Sequence, residues 1–248
     1  TTFISNVASG CGYFAEGDGY GGAIYCSNNK LIISSTTFNS NEVYGDSLRY
    51  NRGQGYGGAI YCSNSELTIT STIFSSNTAN GLSHGYGGAI FIDSKSIATF
   101  IDDVKFIKNL AQTSGGAIYN SGTINLIANT NNLEFTGNTA NGISNAIHSG
   151  GTINLWASEK GNIIFNDRIT GLGIINVNNS TNTLTSIGKV ILNEDMSGYT
   201  GEINLYNGEI ELQAKTNENS DVNTNKFFSG NINLSSGETT DVGMQETV

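Results

Sequence analysis

The side chains of this chain that could do chemistry are few and scattered. Three are cysteines: Cys11, Cys26 and Cys62. Cys26 and Cys62 share one context, Ile-Tyr-Cys-Ser-Asn. If that context recurs once per turn of a stacked structure, their Cα atoms lie about 4.8 Å apart, inside the range that permits a disulfide. Two free, stacked core thiols satisfy the same spacing. The two histidines, His84 and His148, show no paired-ligand spacing with the cysteines, so neither a metal site nor a cofactor is expected. Asp102-Asp103 has the form of an acid/base pair for glycan cleavage. No third carboxylate or histidine recurs at the matching place in the following segments, and the nearby Lys105 and Lys108 read as solvated surface. No catalytic residue is therefore expected. Gly17-Asp18-Gly19-Tyr20 resembles a calcium-binding turn, which needs its Asp in every repeat. The aligned segments are Gly53-Gln54-Gly55-Tyr56 and Ser83-His84-Gly85-Tyr86, so a plain turn is expected, with each Tyr packing over a neighbouring turn.

These alignments exist because the chain repeats. Gly-Gly-Ala-Ile begins at Gly21, Gly57, Gly87 and Gly115, and each copy is followed by Phe-x-x-Asn: Phe38 to Asn41, Phe74 to Asn77, Phe106 to Asn109 and Phe135 to Asn138. From Gly to Phe the spacing is 17, 17, 19 and 20 residues, whereas from Asn to the next Gly it shrinks from 16 to 10 to 6. A nearly constant unit with one variable segment marks a stacked repeat whose insertions emerge on one side. The constant part holds runs such as Ile60-Tyr61-Cys62, Leu67-Thr68-Ile69 and Ile73-Phe74, β-branched and aromatic, with Ser and Asn between them. They are too short for helices. Phe100 to Leu110 aligns with the same part and is read as strand.

Short strands recurring about every 30 residues can each pair with their counterpart one repeat later. The expected fold class is all-β: a right-handed parallel β-helix (β-solenoid), a single-stranded pectate-lyase-like superhelix. In it, Ile24, Ile60, Ile90 and Ile118 form an aliphatic column, and the four Phe residues form an aromatic one. The Gly pair turns the chain sharply. Asn41, Asn77, Asn109 and Asn138 are expected at a corner, in a left-handed conformation and bonded to the turns above and below. The β-propeller, the other repeat fold considered, needs longer blades.

After Asn138 the motif decays, and Asn145-Ala146-Ile147 is a remnant without its glycines. Strands continue in a new spelling, Ile-Asn-Leu at Ile153, Ile203 and Ile232, alternating as a half-buried strand does. The expected organisation is repeat turns over 1–140, continuing degenerate turns over 141–234, a polar loop at 215–225, and a loose tail over 235–248. The absence of proline among 248 residues suits a chain paired along both edges. A net charge of −10 with 11 basic residues and no basic cluster argues against nucleic acid as a partner. No stretch approaches the apolar length of a membrane span. A solvent-facing Thr array of the ice-binding kind is started by Thr68 and Thr70, but neighbouring repeats do not sustain it. Thr1 to Asn6 copies the middle of a repeat, so the chain reads as part of something longer, with its targeting signals elsewhere.

Gly-Gly-Ala-Ile alternating with Phe-x-x-Asn resembles the repeat of the chlamydial polymorphic outer membrane proteins and related autotransporter adhesins. The resemblance covers Thr1 to about Asn138, and the later part is similar in style to autotransporter passenger stems. It implies a β-helical rod at the bacterial cell surface, held at the outer membrane or secreted, acting in adhesion without catalysis. The partner would be a host or neighbouring cell-surface protein or glycan. The longest insertion, Glu42 to Tyr56, is read as a protruding loop. It gathers Tyr44, Arg49, Tyr50 and Arg52, residue types suited to partner contact. A polysaccharide-active enzyme and a structural spacer are the alternatives.

Overall fold

The computed structural model describes residues 1–12, 17–47, 52–178, 188–206, 208–212 and 231–234. The segments expected as polar loop and loose tail lie outside the described residues. The described chain is all-β and winds as a parallel β-helix. Each early turn contributes one strand to each of several sheets. The GGAI sheet has six strands, from Ile24–Ser27 to Ile169–Gly171. A middle sheet of eight runs from Lys30–Ser34 to Asn231–Leu234, and a Phe sheet of eight from Thr2–Ile4 to Glu209–Leu212.

The register is the one the motifs dictate. Ile24, Ile60, Ile90, Ile118, Ile147 and Ile169 oppose one another in successive turns. Phe3, Phe38, Phe74, Phe106, Phe135 and Phe165 do the same. The Phe rings are nearly parallel, with centroids 4.7 to 5.0 Å apart, and five of the six are fully buried. Each stacked pair adds about 0.5–1.5 kcal/mol beyond the area it buries. The middle sheet continues past residue 140 without a break, Ala128 opposing Ala157 and Leu155 opposing Val177.

The two glycines of each motif answer different demands. The first, at Gly21, Gly57, Gly87 and Gly115, has φ between 59° and 71°, where an L side chain is strained. The second keeps an ordinary φ but has no room. A Cβ on Gly58 would lie 2.0 Å from the Gly88 carbonyl oxygen of the next turn.

One expectation about the asparagines is corrected. The left-handed residue is the one before each of them, Ser40, Ser76, Lys108 and Gly137, and likewise Ser5 before Asn6. The asparagines themselves point inward and form a buried ladder. Asn77 donates from Nδ2 to Asn109 Oδ1 at 2.9 Å and to the Phe38 carbonyl at 3.0 Å, while its backbone N–H also reaches Asn109 Oδ1 at 3.0 Å. Asn41 and Asn109 repeat the pattern. Because the preceding residue carries the strained turn outward, its identity is free, and Ser, Lys and Gly all serve.

The insertion is corrected likewise. Glu42 to Tyr56 is mostly strand: Glu42–Ser47 leads out and Gln54–Tyr56 leads back. The turns on either side do the same with Val7–Gly12 and Gly19–Tyr20, and with Thr78–Gly81 and His84–Tyr86. Outgoing strands pair with outgoing, returning with returning. The two layers touch backbone to backbone. A Cβ on Gly45 would lie 2.2 Å from the Gln54 carbonyl oxygen, and one on Gly10 would lie 2.2 Å from that of Asp18. The glycines that looked like loop residues instead allow a flat, two-layered fin, in which neighbouring turns supply the hydrogen bonds a free loop would take from water.

Near residue 140 the fin ends. Thr139–Ala140 folds back antiparallel on Ile143–Ser144, closing that sheet. Two acceptors are lost there, and two side chains replace them. Gly57 and Gly87 donate to the carbonyls of Tyr86 and Ser114 in the next turn, but Gly115 and Gly116 donate to Asn145 Oδ1, at 3.0 and 3.3 Å. Ser40, Ser76 and Lys108 likewise donate to a backbone carbonyl in the next turn. The corner after Phe165 is one residue shorter, Phe165-Asn166-Asp167 in place of Phe-x-x-Asn, and Gly137 donates to Asp167 Oδ1 at 2.9 Å instead. The other oxygen of Asp167 ends the Asn ladder, accepting from Asn138 N and Nδ2 at 2.8 and 2.7 Å.

Candidate functional site: an aromatic ribbon at the base of the fin

Two columns of rings meet on the outside, one on the GGAI sheet and one on the adjoining sheet of returning fin strands. One holds the residue after each motif isoleucine: Tyr25, Tyr61, Phe91, Tyr119 and then His148. Their centroids are 5.1 to 5.3 Å apart, and the planes lie within 21°. The other holds the residue before each Gly-Gly: Tyr20, Tyr56 and Tyr86, stacked at 5.3 and 5.6 Å. Edge-to-face contacts lock the columns together, Tyr20 on Tyr61 at 4.8 Å, Tyr56 on Phe91 at 5.0 Å and Tyr86 on Tyr119 at 5.1 Å. Strand alternation explains this placement, since the isoleucines and cysteines point inward and the residues between them must point out.

Each ring face is largely covered by the next ring, so the ribbon shows solvent mainly edges and hydroxyls. Tyr25 is 58% exposed and Tyr20 38%. Burial, reinforced by the Asp18 carboxylate, pushes the Tyr20 phenol up to about 12. Burial also raises Tyr56, Tyr61 and Tyr86. These phenols therefore remain protonated donors across the physiological range. Burial lowers the pKa of His148, whose Nδ1 lies 3.0 Å from Thr170 Oγ1, so it ends the column as a neutral ring.

The residues singled out from the sequence fall elsewhere. Cys26 and Cys62 oppose each other in register, both buried, and stand as free thiols. Burial pushes the Cys62 thiol up to about 11, a poor nucleophile. Tyr44 lies half-buried within the outgoing fin strand, opposite Ser9 and Asn80. Arg52 is exposed beside the returning strand. Arg49 and Tyr50 lie outside the described residues, so the four are not seen as one cluster. Asp102 accepts backbone N–H groups from Asn129 at 2.6 Å and Thr130 at 3.0 Å, and Asp103 pairs with Lys105 at 3.3 Å. Asp18 accepts from the Gln54 backbone at 2.9 Å and from the Tyr20 hydroxyl at 3.3 Å. These carboxylates are spent on corners and turns. Among the described residues no group of three His, Cys, Asp or Glu side chains converges as a metal site.

Sequence reading missed three features. A second adjacent acidic pair, Glu194-Asp195, faces Arg168, with Asp195 at 2.5 Å from its Nη2. Asn145, and Asp167 in the degenerate Phe165-Asn166-Asp167 copy of Phe-x-x-Asn, read from the sequence only as motif decay. The column from Tyr25 to His148 was legible as an aromatic following Ile in all four GGAI motifs, and was not used.

Residues 1–27, 35–63, 71–93 and 103–121 match the Chlamydia polymorphic membrane protein repeat. A curated relative, the probable autotransporter YfaL of Escherichia coli (strain K12), is 29% identical over 213 residues, covering 85% of this chain and 16% of that protein. No solved structure matches the chain. The expected resemblance therefore holds: four stretches match the repeat of polymorphic membrane proteins, the chain is similar to part of an autotransporter, and these similarities indicate a location at the bacterial outer membrane or cell surface.

Proposed function

We propose that this rod of polymorphic membrane protein repeats is a non-catalytic, adhesive part of a bacterial surface protein. Its aromatic ribbon meets a protein or glycan on a host or neighbouring cell. The carrying observation is the ribbon itself: eight rings in mutual contact on the outside of a solenoid whose core is already full. Clustered, rigid aromatics that keep part of their surface open to solvent, six of the eight here tipped with hydroxyls, are the kind of side chain that dominates interface energies. The fin beside it supplies Tyr44 and Arg52 as secondary contact candidates, and the sequence of the same insertion adds Arg49 and Tyr50. Absence of catalysis is part of the same reading, supported by the structural roles of Asp18, Asp102 and Asp103.

The test is adhesion of the purified rod to cells, measured for the parent and for a Tyr61→Ser, Phe91→Ser variant whose circular dichroism matches it. Adhesion is expected to drop at least tenfold. Undiminished adhesion by a folded variant removes the ribbon from the proposal, and a fall on replacing Arg49 and Tyr50 instead would move the site to the insertion between Glu42 and Tyr56.

A further inference from the structure

We infer that Cys26 and Cys62 become joined by a disulfide in an oxidising compartment, a staple between the first two turns of the rod. The two residues lie directly opposite each other in the parallel pair of Ile24–Ser27 and Ile60–Ser63. Neighbouring strands set such a pair about 4.8 Å apart, inside the range of Cα separations that a disulfide bridges. Both side chains point inward, with Cys26 7% exposed and Cys62 fully buried.

The position does not call for sulfur as a packing group. The turns that follow fill it with Ile92, Asn120, Ser149 and Gly171. The Cys62 thiol donates weakly to the Ser65 carbonyl at 3.9 Å, and among the described residues no metal site engages either sulfur. The similarities to polymorphic membrane proteins and to an autotransporter indicate a place at the outer membrane or cell surface. There, and in the compartment crossed on the way, thiols set within reach of each other are oxidised. Turn one is also where a staple has most to hold. Among the described residues its strands Ile24–Ser27 and Lys30–Ser34 pair on one side only, with turn two. Phe3, Ile24 and Leu31 are only partly buried there. The loop that the bond closes, residues 26–62, carries the longest insertion together with Tyr56 and Tyr61 of the ribbon. Closing it restricts the unfolded chain over that whole stretch.

The step is a thiol–disulfide exchange with a protein or small-molecule disulfide as oxidant. The Cys26 thiolate attacks one oxidant sulfur, forms a mixed disulfide and expels the oxidant's first thiolate. The Cys62 thiolate then attacks the Cys26 sulfur and expels the second. The two thiol protons end on the expelled oxidant thiolates, which carry away both electrons. In the folded rod burial holds the Cys62 thiol up at about 11. The exchange therefore belongs to the state in which turn one has not yet closed, or has swung open.

The test uses the whole rod with Cys11→Ser, made once by secretion into a bacterial periplasm and once in a reducing cytosol. Cys11 is exposed and shares the tryptic peptide 1–30 with Cys26, so its removal leaves one assignment for any link. Each rod is unfolded in a thiol-alkylating reagent and weighed by mass spectrometry. The secreted rod is expected to take up no alkyl group and to yield peptides 1–30 and 53–95 as one linked pair that reduction separates. The cytosolic rod is expected to take up two. Oxidised glutathione should link the cytosolic rod at least tenfold faster in urea just below its midpoint than in buffer. Reduction should lower the urea midpoint of the linked rod and leave that of a Cys11→Ser, Cys26→Ala rod unchanged. Two alkylated thiols in the secreted rod overturn the inference. So does a linked rod whose midpoint ignores reductant, since the bond would then staple nothing.

Discussion

The first 140 residues and those that follow share one core but solve their corners differently. In the first part, a constant motif lets backbone meet backbone, with glycine where a Cβ cannot fit and an asparagine ladder sealed inside. In the second, turns are shorter, with Thr152 opposing Ile174 after only 22 residues, and the fin is gone. A second amide ladder starts at Asn125 and continues through the second part at Asn154, Asn176 and Asn204, with links of 2.9 to 3.1 Å, but it runs along the outer face of the middle sheet. The same residue in the same stacked arrangement thus has opposite surroundings. Inside, water cannot replace a lost partner; outside, it can.

That contrast gives the largest expected effect. Asn109→Ala orphans the Asn77 backbone N–H and the Phe74 carbonyl in the interior and should cost about 3–5 kcal/mol in urea unfolding. Asn154→Ala should cost less than about 1 kcal/mol. Equal losses would mean that the ladders do not differ by burial. Next comes Gly58→Ala, expected to lower stability by about 2–4 kcal/mol because the new methyl meets the Gly88 carbonyl. Gly150→Ala, with nothing within 4 Å, should change the midpoint little. At the junction of the two parts, Asp167→Ala should cost about 2 kcal/mol by freeing the Gly137 and Asn138 N–H groups.

The smallest effect is a pH dependence of opposite sign in two carboxyls. Burial raises the Asp167 carboxyl above the ordinary carboxylate value, a rise only partly offset by its N–H donors. Its contribution is therefore greatest in acid and declines as pH rises through that raised value. Burial would also raise Asp93, but the Ser96 and Ser63 hydroxyls and two backbone N–H groups outweigh it and hold the carboxyl low. Its contribution is present at neutral pH and is lost as pH falls through the depressed value. As pH falls, the urea midpoint of the parent should fall relative to that of Asp93→Asn and rise relative to that of Asp167→Asn. A relative fall against both variants would contradict the assigned cause at Asp167.

The columns of isoleucine and phenylalanine were legible because a repeat fixes register by counting. Ile60 opposes Ile90 for the same reason that their motifs align. The fin was not legible, because Gly, Asn and Ser serve loops and close-packed backbone layers equally, and only the neighbouring turn decides which. Nor was the compensation at Asn145 and Asp167. One chain alone shows a motif decaying, while the carbonyl each side chain replaces belongs to a different turn. The expected contact residues lie in the longest insertion, where Tyr44 is tied into a strand. The ribbon proposed beside them lies among the glycines and cysteines that drew attention first.

The taper of the fin has a consequence for how such a rod can change over generations. Its outgoing strands are 6, 6, 4, 2 and 2 residues long along the axis. A strand cannot reach far past its neighbour without leaving an open edge. Lengthening one insertion alone would expose its tip, so length must spread through adjacent turns in small steps. Whole-turn duplication avoids that restriction, because a copied turn arrives beside a neighbour of its own length. A lineage of such rods should therefore vary more readily in the number of turns than in the projection of any single one.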